Sequence, residues 1–229
     1  MLSFASPEFW IALSQIVLIN IVLSGDNAVV IALACRSLPP HQQKKAIVFG
    51  SVGAIVLRVV LTFFAVMLLD LPYLKLIGAA ALLWIGVGLL KSDDGEENLE
   101  GHSNLAAAIK TIVVADLVMS LDNVIGVAAA AKGNVMLLIV GLVISIPLII
   151  FGSAILLRIM GRFPVIITLG AGLLGWVAGE MALSDPAISV WSAQQHTLHM
   201  LAPAAGAVAV IALGKWLTSR NAAPAAPAA

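Results

Sequence analysis

Asn20-Ile21-Val22-Leu23-Ser24-Gly25-Asp26-Asn27 returns 96 residues later as Asp116-Leu117-Val118-Met119-Ser120-Leu121-Asp122-Asn123, each time inside a long apolar run. A carboxylate at the centre of a membrane helix costs about 2.5–3.5 kcal/mol on insertion scales, so Asp26, Asp116 and Asp122 point to a polar pathway or binding site. The surroundings are those of a membrane protein. Hydrophobic residues make up 61% of the chain, charged residues 10%, and the mean hydropathy is +1.08, against roughly 25% charged residues in soluble domains.

Working outward from the two runs, apolar stretches able to cross a hydrocarbon core of about 30 Å are read at 9–34, 46–69, 73–90, 106–131, 135–157, 164–183 and 198–218. The expectation is an all-α membrane protein with seven transmembrane helices. The first stretch starts beside Glu8 and exceeds a signal-peptide core of roughly 7–15 residues, so it reads as a span. Alternate loops receive unequal charge. One side carries Arg36, Lys44, Lys45, Lys91, Lys110, Arg158, Arg162, Lys215 and Arg220; the other carries Lys75 and Lys132. By the positive-inside rule the first side is cytoplasmic, which puts the N-terminus in the periplasm and the C-terminus in the cytoplasm. Basic residues gathered at membrane edges leave no nucleic-acid footprint.

A second match supports duplication. Gly78-Ala79-Ala80-Ala81-Leu82-Leu83-Trp84 in the third span parallels Gly170-Ala171-Gly172-Leu173-Leu174-Gly175-Trp176 in the sixth, 92 residues on. Spans one to three therefore match four to six. Because a three-span unit is odd in number, its copy enters the bilayer from the opposite side, giving two inverted repeats with a seventh helix added. Such folds bind substrate near the midplane where the repeats meet. The expected organisation is a first repeat at 1–90, an acidic cytoplasmic linker at 91–105, a second repeat at 106–183, a periplasmic loop and seventh helix at 184–218, and an Ala/Pro tail at 219–229. The linker, with Asp93, Asp94, Glu96, Glu97, Glu100 and His102, is a solvated connection or an acidic antechamber that gathers cations. Rows of small residues from Gly78 to Gly88 and Gly170 to Gly179 suit close packing within one protomer or between two, so a homo-oligomer is open.

On a regular helix Asn20, Ser24 and Asn27 fall on one face, as do Asp116, Ser120 and Asn123. Asp26 and Asp122 stand one residue before the last member, roughly 100° away, and join that face only where the helix bends or unwinds. Gly25 permits this in the first copy; Leu121 takes its place in the second. The resulting donors are carboxylate, amide and hydroxyl oxygens, with the thioether of Met119 as a supporting ligand. Mn²⁺, Mg²⁺ and Ca²⁺ prefer such oxygens, whereas copper and zinc recruit thiolate or imidazole, and Cys35 is the sole cysteine. The metal is expected as a transported ion, with no permanently bound cofactor. Arg58, the one basic residue deep in a span, is a structural counter-ion or an internal cation that replaces the ion in the empty state. Pro147 is expected to kink span five. Glu180 belongs to an exit path or to the interface, and His196 and His199 are a two-imidazole pair short of a third ligand. No phosphate loop, nucleophile elbow or zinc-protease helix occurs, so no enzymatic role is expected.

The runs Leu23-Ser24-Gly25-Asp26-Asn27-Ala28 and Asp116 to Asn123 resemble those of the TerC family of bacterial membrane proteins, and Gly141-Leu142-Val143-Ile144-Ser145-Ile146-Pro147 is similar to its compact YjbE branch. The resemblance covers nearly the whole chain up to the seventh span. It implies metal-ion efflux, chiefly of Mn²⁺, from the cytoplasm across the inner membrane, with family motif positions at Asp26, Asn27, Asp116, Asp122 and Asn123. Asn20 stands where the second copy has Asp116, which removes one negative charge from a symmetric site. The alternatives are an exporter of amino acids or small organic solutes, for which Arg58 is the only candidate carboxylate anchor, and a non-transporting membrane partner in metal or stress response.

Overall fold

Hydrocarbon offers backbone N–H and C=O groups no water, so a chain this apolar has to close its hydrogen bonds within helices. The computed structural model describes residues 7–23, 25–69, 71–91, 105–131 and 134–221, and its secondary structure there is helical throughout, without strands among the described residues. In chain order the elements are α1 (Pro7–Leu23), α2 (Gly25–Cys35), α3 (Pro40–Leu69), α4 (Leu74–Lys91), α5 (Leu105–Ala131), α6 (Val135–Arg162), α7 (Val165–Leu183), the single turn α8 (Ser189–Ser192) and α9 (His196–Asn221). The acidic linker residues Asp93 to His102 and the Ala/Pro tail beyond Asn221 lie outside the described residues.

Among the described residues, five helices, α3, α4, α6, α7 and α9, are individually long and apolar enough to cross a membrane. Their outer faces are apolar too. Ile77 is 68% exposed, Trp84 83% and Phe151 68%, a distribution that water would penalise and lipid tails accept. The stretch expected as one first span is two helices. α1, with 17 residues, ends at Leu23, and α2, with 11, begins at Gly25, so at 1.5 Å per residue neither reaches across about 30 Å alone. Residue type favours the division: glycine lowers helix preference by about 1 kcal/mol, and Asp26 in the first turn of α2 places a carboxylate at a helix start, where the dipole favours it. α5 carries Leu121 at the corresponding place and continues unbroken. α3 and α6 overrun the expected spans, through His41 to Lys45 and through Arg158 to Arg162 respectively, since a helix need not stop where the bilayer does. Asn134 starts α6 by accepting the Leu137 N–H at 3.1 Å. Pro147 lies inside α6, which is assigned as one helix.

α3 runs along α5, α6 packs on α1 and α2, α4 lies against α7, and α9 covers α7 and α4. One buried cluster joins Phe9 and Ile16 of α1, Ile47 of α3, Ile112 of α5 and Leu142 of α6. A second joins Val30 of α2, Leu82 of α4, Val118 of α5 and Met181 of α7. Several glycines of the small-residue rows pack inside the protomer. A Cβ on Gly78 would strike Met181 and Val118, one on Gly170 would strike Val29, and on Gly175 or Gly179 it would fall on the α9 backbone at Gly206 or Ala202. α7 and α9 thus touch backbone to backbone, the contact that small residues four apart allow.

Candidate functional site

Arg58 comes from the middle of α3 and is 1% exposed. Its Nε donates to Ser120 Oγ at 2.9 Å and its Nη2 to Asp116 Oδ1 at 2.5 Å, while Ser120 Oγ donates to Asp116 Oδ2 at 3.1 Å. Asp116 and Ser120 stand four residues apart on α5, so one helix face presents both to the same guanidinium. The three side chains form a closed ring with both carboxylate oxygens engaged. An isolated charge at this depth would cost several kcal/mol, and the pairing is what lets Arg58 and Asp116 be buried together.

Asp26 stands at the start of α2 and is half-buried. It is within electrostatic reach of both Arg58 and Asp116, and its Oδ1 accepts the Asn27 backbone N–H at 2.8 Å. Asn27 is 2% exposed. Neither its Oδ1 nor its Nδ2 has a hydrogen-bond partner among the described residues, although an unsatisfied buried polar group costs about 1–3 kcal/mol. Asn123 is half-buried on α5. The side chains of Asn20 and Asp122, and Ser24 altogether, lie outside what the structure describes. Met119 packs in the second apolar cluster.

The remaining candidates stand apart. Glu180 is exposed on α7 and accepts from Trp176 Nε1 at 2.9 Å. His196 and His199 are exposed in the first turn of α9. Among the described residues no three His, Cys, Asp or Glu side chains gather into a metal cluster; the oxygen donors in direct contact are those of Asp116 and Ser120, with Asp26 and Asn27 adjacent to each other at the start of α2. Such donors suit a hard divalent cation, provided Asp116 exchanges its guanidinium partner for the ion.

Sequence reasoning missed two residues. Ser51 on α3, two helical turns before Arg58, is 1% exposed and its hydroxyl has no partner among the described residues. Asp185, after α7, is fully buried. Its carboxylate accepts backbone N–H groups from Tyr73 at 2.9 Å, Leu76 at 3.1 Å and Ala187 at 2.8 Å, which makes it the cap of α4 supplied from a distant part of the chain. Lys75 Nζ adds a bond to Ser184 Oγ at 3.2 Å. Burial pushes the Asp185 carboxyl up, but the backbone donors at Ala187, Tyr73, Leu76 and Lys75 outweigh it and hold the group below the usual carboxylate range. Tyr73 takes a left-handed φ of 68° in the same turn. The local signal was Ser184-Asp185-Pro186, an Asp-Pro turn initiator directly after an apolar run.

Comparison with known proteins places these residues in a family context. The model described as "Integral membrane protein TerC family" matches residues 5–222. The uncharacterized membrane protein YjbE of Bacillus subtilis is 42% identical over 196 residues, covering 86% of this chain and 90% of that one. YceF of the same organism, also described as an uncharacterized membrane protein, is 25% identical over 77% of this chain and 72% of its own. The UPF0053 inner membrane protein YgdQ of Escherichia coli K12 is 27% identical over 78% of this chain and 83% of its own. No solved structure matches.

Proposed function

Because the chain belongs to the TerC family of integral membrane proteins, we propose that it is a secondary transporter that exports Mn²⁺, or a related divalent cation, across the bacterial inner membrane. The observation that carries this reading is Asn27, a buried amide with both polar atoms unpartnered among the described residues, next in the chain to Asp26, which feels the charges of Arg58 and Asp116. A protein tolerates such a group where a ligand completes it. Asp26, Asp116 and Asp122 supply charge to the ion; Asn27 and Asn123, with Asn20, Ser24 and Ser120, complete its shell. Arg58 holds Asp116 until the ion arrives and releases it on binding.

The seven-span, inverted-repeat reading belongs to the same proposal. Its support is that packing pairs have counterparts when the halves are exchanged: α3 on α5 against α6 on α1 and α2, and α4 on α7. The first span is then α1 and α2 in series. The N-terminus faces the periplasm and the C-terminus the cytoplasm, following the uneven cations. Carrying two positive charges outward works against an inside-negative potential by about 2.3 kcal/mol per charge per 100 mV, so export is coupled, by antiport. The organic-solute reading is less favoured, since its only cationic anchor, Arg58, is engaged by Asp116 and Ser120.

The test is cytosolic manganese in a bacterium lacking its own exporters, loaded with Mn²⁺ and expressing the wild type, Asp26→Asn or Asp122→Asn at matched levels. The wild type lowers cytosolic manganese and both variants fail. High manganese with well-inserted wild type removes the exporter reading and moves the organic-solute and partner readings ahead.

A further inference from the structure

A second polar feature has none of the Arg58–Asp116–Ser120 ring in its lining and gathers cations instead. The end of α2, the start of α3, the end of α6 and the start of α7 enclose an open cavity of about 620 Å³, and among the described residues its lining includes Arg36, Lys44 and Arg158 but no Asp or Glu. Below the cations the wall is apolar, with Ile47, Leu157 and Ile167. Three positive charges, with no carboxylate among the described lining residues, select an anion, and the apolar wall selects one that carries hydrocarbon.

The floor is built before any ligand arrives. Arg36 Nη2 donates to the Leu89 carbonyl at 2.8 Å, fixing the guanidinium against the end of α4. Gln43 Nε2 donates to the Leu38 carbonyl at 3.0 Å, which holds the turn between α2 and α3 in shape. Lys44 and Arg158 are exposed at the mouth. Beside them, Val48 of α3 is 40% exposed and Ile155 of α6 is 41% exposed, so the apolar wall continues onto the surface that lipid tails cover.

We propose that this cavity binds the phosphodiester headgroup of an anionic phospholipid, with Lys44 and Arg158 reaching its phosphate, Arg36 setting the positive floor and the acyl chains lying along α3 and α6. Basic pockets between transmembrane helices hold anionic headgroups through this combination of point charges and an adjoining apolar groove. A free phosphate would use the charges and leave the apolar wall without a role; the cavity is also far larger than that ion needs. The site stands independently of ion transport, because none of its residues belongs to the Arg58–Asp116 ring.

The experiment uses the full chain, purified and delipidated in a neutral detergent. Lipid retention is read by native mass spectrometry and thermal stability after adding phosphatidylglycerol, phosphatidylcholine or inorganic phosphate at equal ionic strength. Phosphatidylglycerol is expected to be retained about 25-fold over phosphatidylcholine and to raise the melting temperature, and Lys44→Gln/Arg158→Gln is expected to abolish that preference, each cation near the surface counting for about fivefold. Arg36 is left intact in this variant because its bond to Leu89 is structural. Lys45→Gln, at an exposed cation outside the lining, keeps the wild-type preference. Equal retention of both lipids overturns the proposal, as does an undiminished preference in the double variant. Stabilisation by inorganic phosphate equal to that by phosphatidylglycerol overturns the lipid assignment in favour of a free-anion site. Should the double variant fail to fold, the wild-type preference between the two lipids still decides.

Discussion

Replacing Arg58 with methionine keeps a side chain of similar reach and deletes the charge. Asp116, itself 7% exposed, would be left with the Ser120 hydroxyl as its neighbour in the ring. Breaking a buried pair by removing one partner costs about 3–5 kcal/mol, and the loss of two hydrogen bonds to a charged group, at about 1.5–3 kcal/mol each, gives the same scale. Asp116→Leu removes the guanidinium's carboxylate in this ring and should also be destabilising. In Arg58→Met/Asp116→Leu both charges leave together, apolar atoms fill the space, and stability should return to within about 1 kcal/mol of wild type. The assay is equilibrium unfolding of the three variants in mixed detergent micelles, read as a double-mutant cycle without added divalent ion. Single losses below about 1 kcal/mol, or losses that simply add in the double variant, would refute the reasoning, because side chains that do not couple are not a pair.

Asn27→Leu should stabilise the ion-free protein by about 1–3 kcal/mol, since it removes an unsatisfied buried amide, and should erase the stabilisation that added Mn²⁺ gives the wild type; melting curves with and without the ion check both. Asp185→Ala should cost about 0.5–2 kcal/mol as the loss of a helix cap. Because the folded carboxyl titrates below its ordinary range, the cap's contribution is fully present above the unfolded value of about 3.9 and disappears as pH falls through the lower folded value, so a stability profile of wild type against Asp185→Asn should converge only in strong acid. Gly179→Ala should destabilise by about 1–3 kcal/mol through a Cβ driven onto the Ala202 carbonyl, whereas Gly88→Ala, with nothing within 4 Å of its Cβ, should be neutral or slightly stabilising; comparing their melting temperatures tests the packing.

The helices were legible because a bilayer imposes length and apolarity on each one. The stretch read at 73–90 is α4 (Leu74–Lys91), and 106–131 is α5 (Leu105–Ala131). Hydropathy was blind to the α1–α2 boundary: the run stays apolar across it, and only Gly25 and Asp26 carry the signal. Arg58 was readable as a buried cation needing an acid, since a charge at that depth demands one. That Asp116 is its partner in the ring was not readable, because it depends on which helix α3 lies against. Asp185 was the hardest case. Its partners, Tyr73 and Leu76, lie more than 100 residues earlier, and periodicity carries no information about which distant helix start a loop carboxylate will meet.

The backbone contact of α7 with α9 has a consequence for biogenesis. During synthesis α7 leaves the ribosome before α9, so for that interval Gly175 and Gly179 present a bare small-residue face inside the membrane. Any other helix with a small face, including one from a neighbouring nascent copy, competes for it. Arrival of Ala202 and Gly206 ends the competition, and a chain stalled before that point carries an unfilled face that intramembrane quality control can recognise as unfinished.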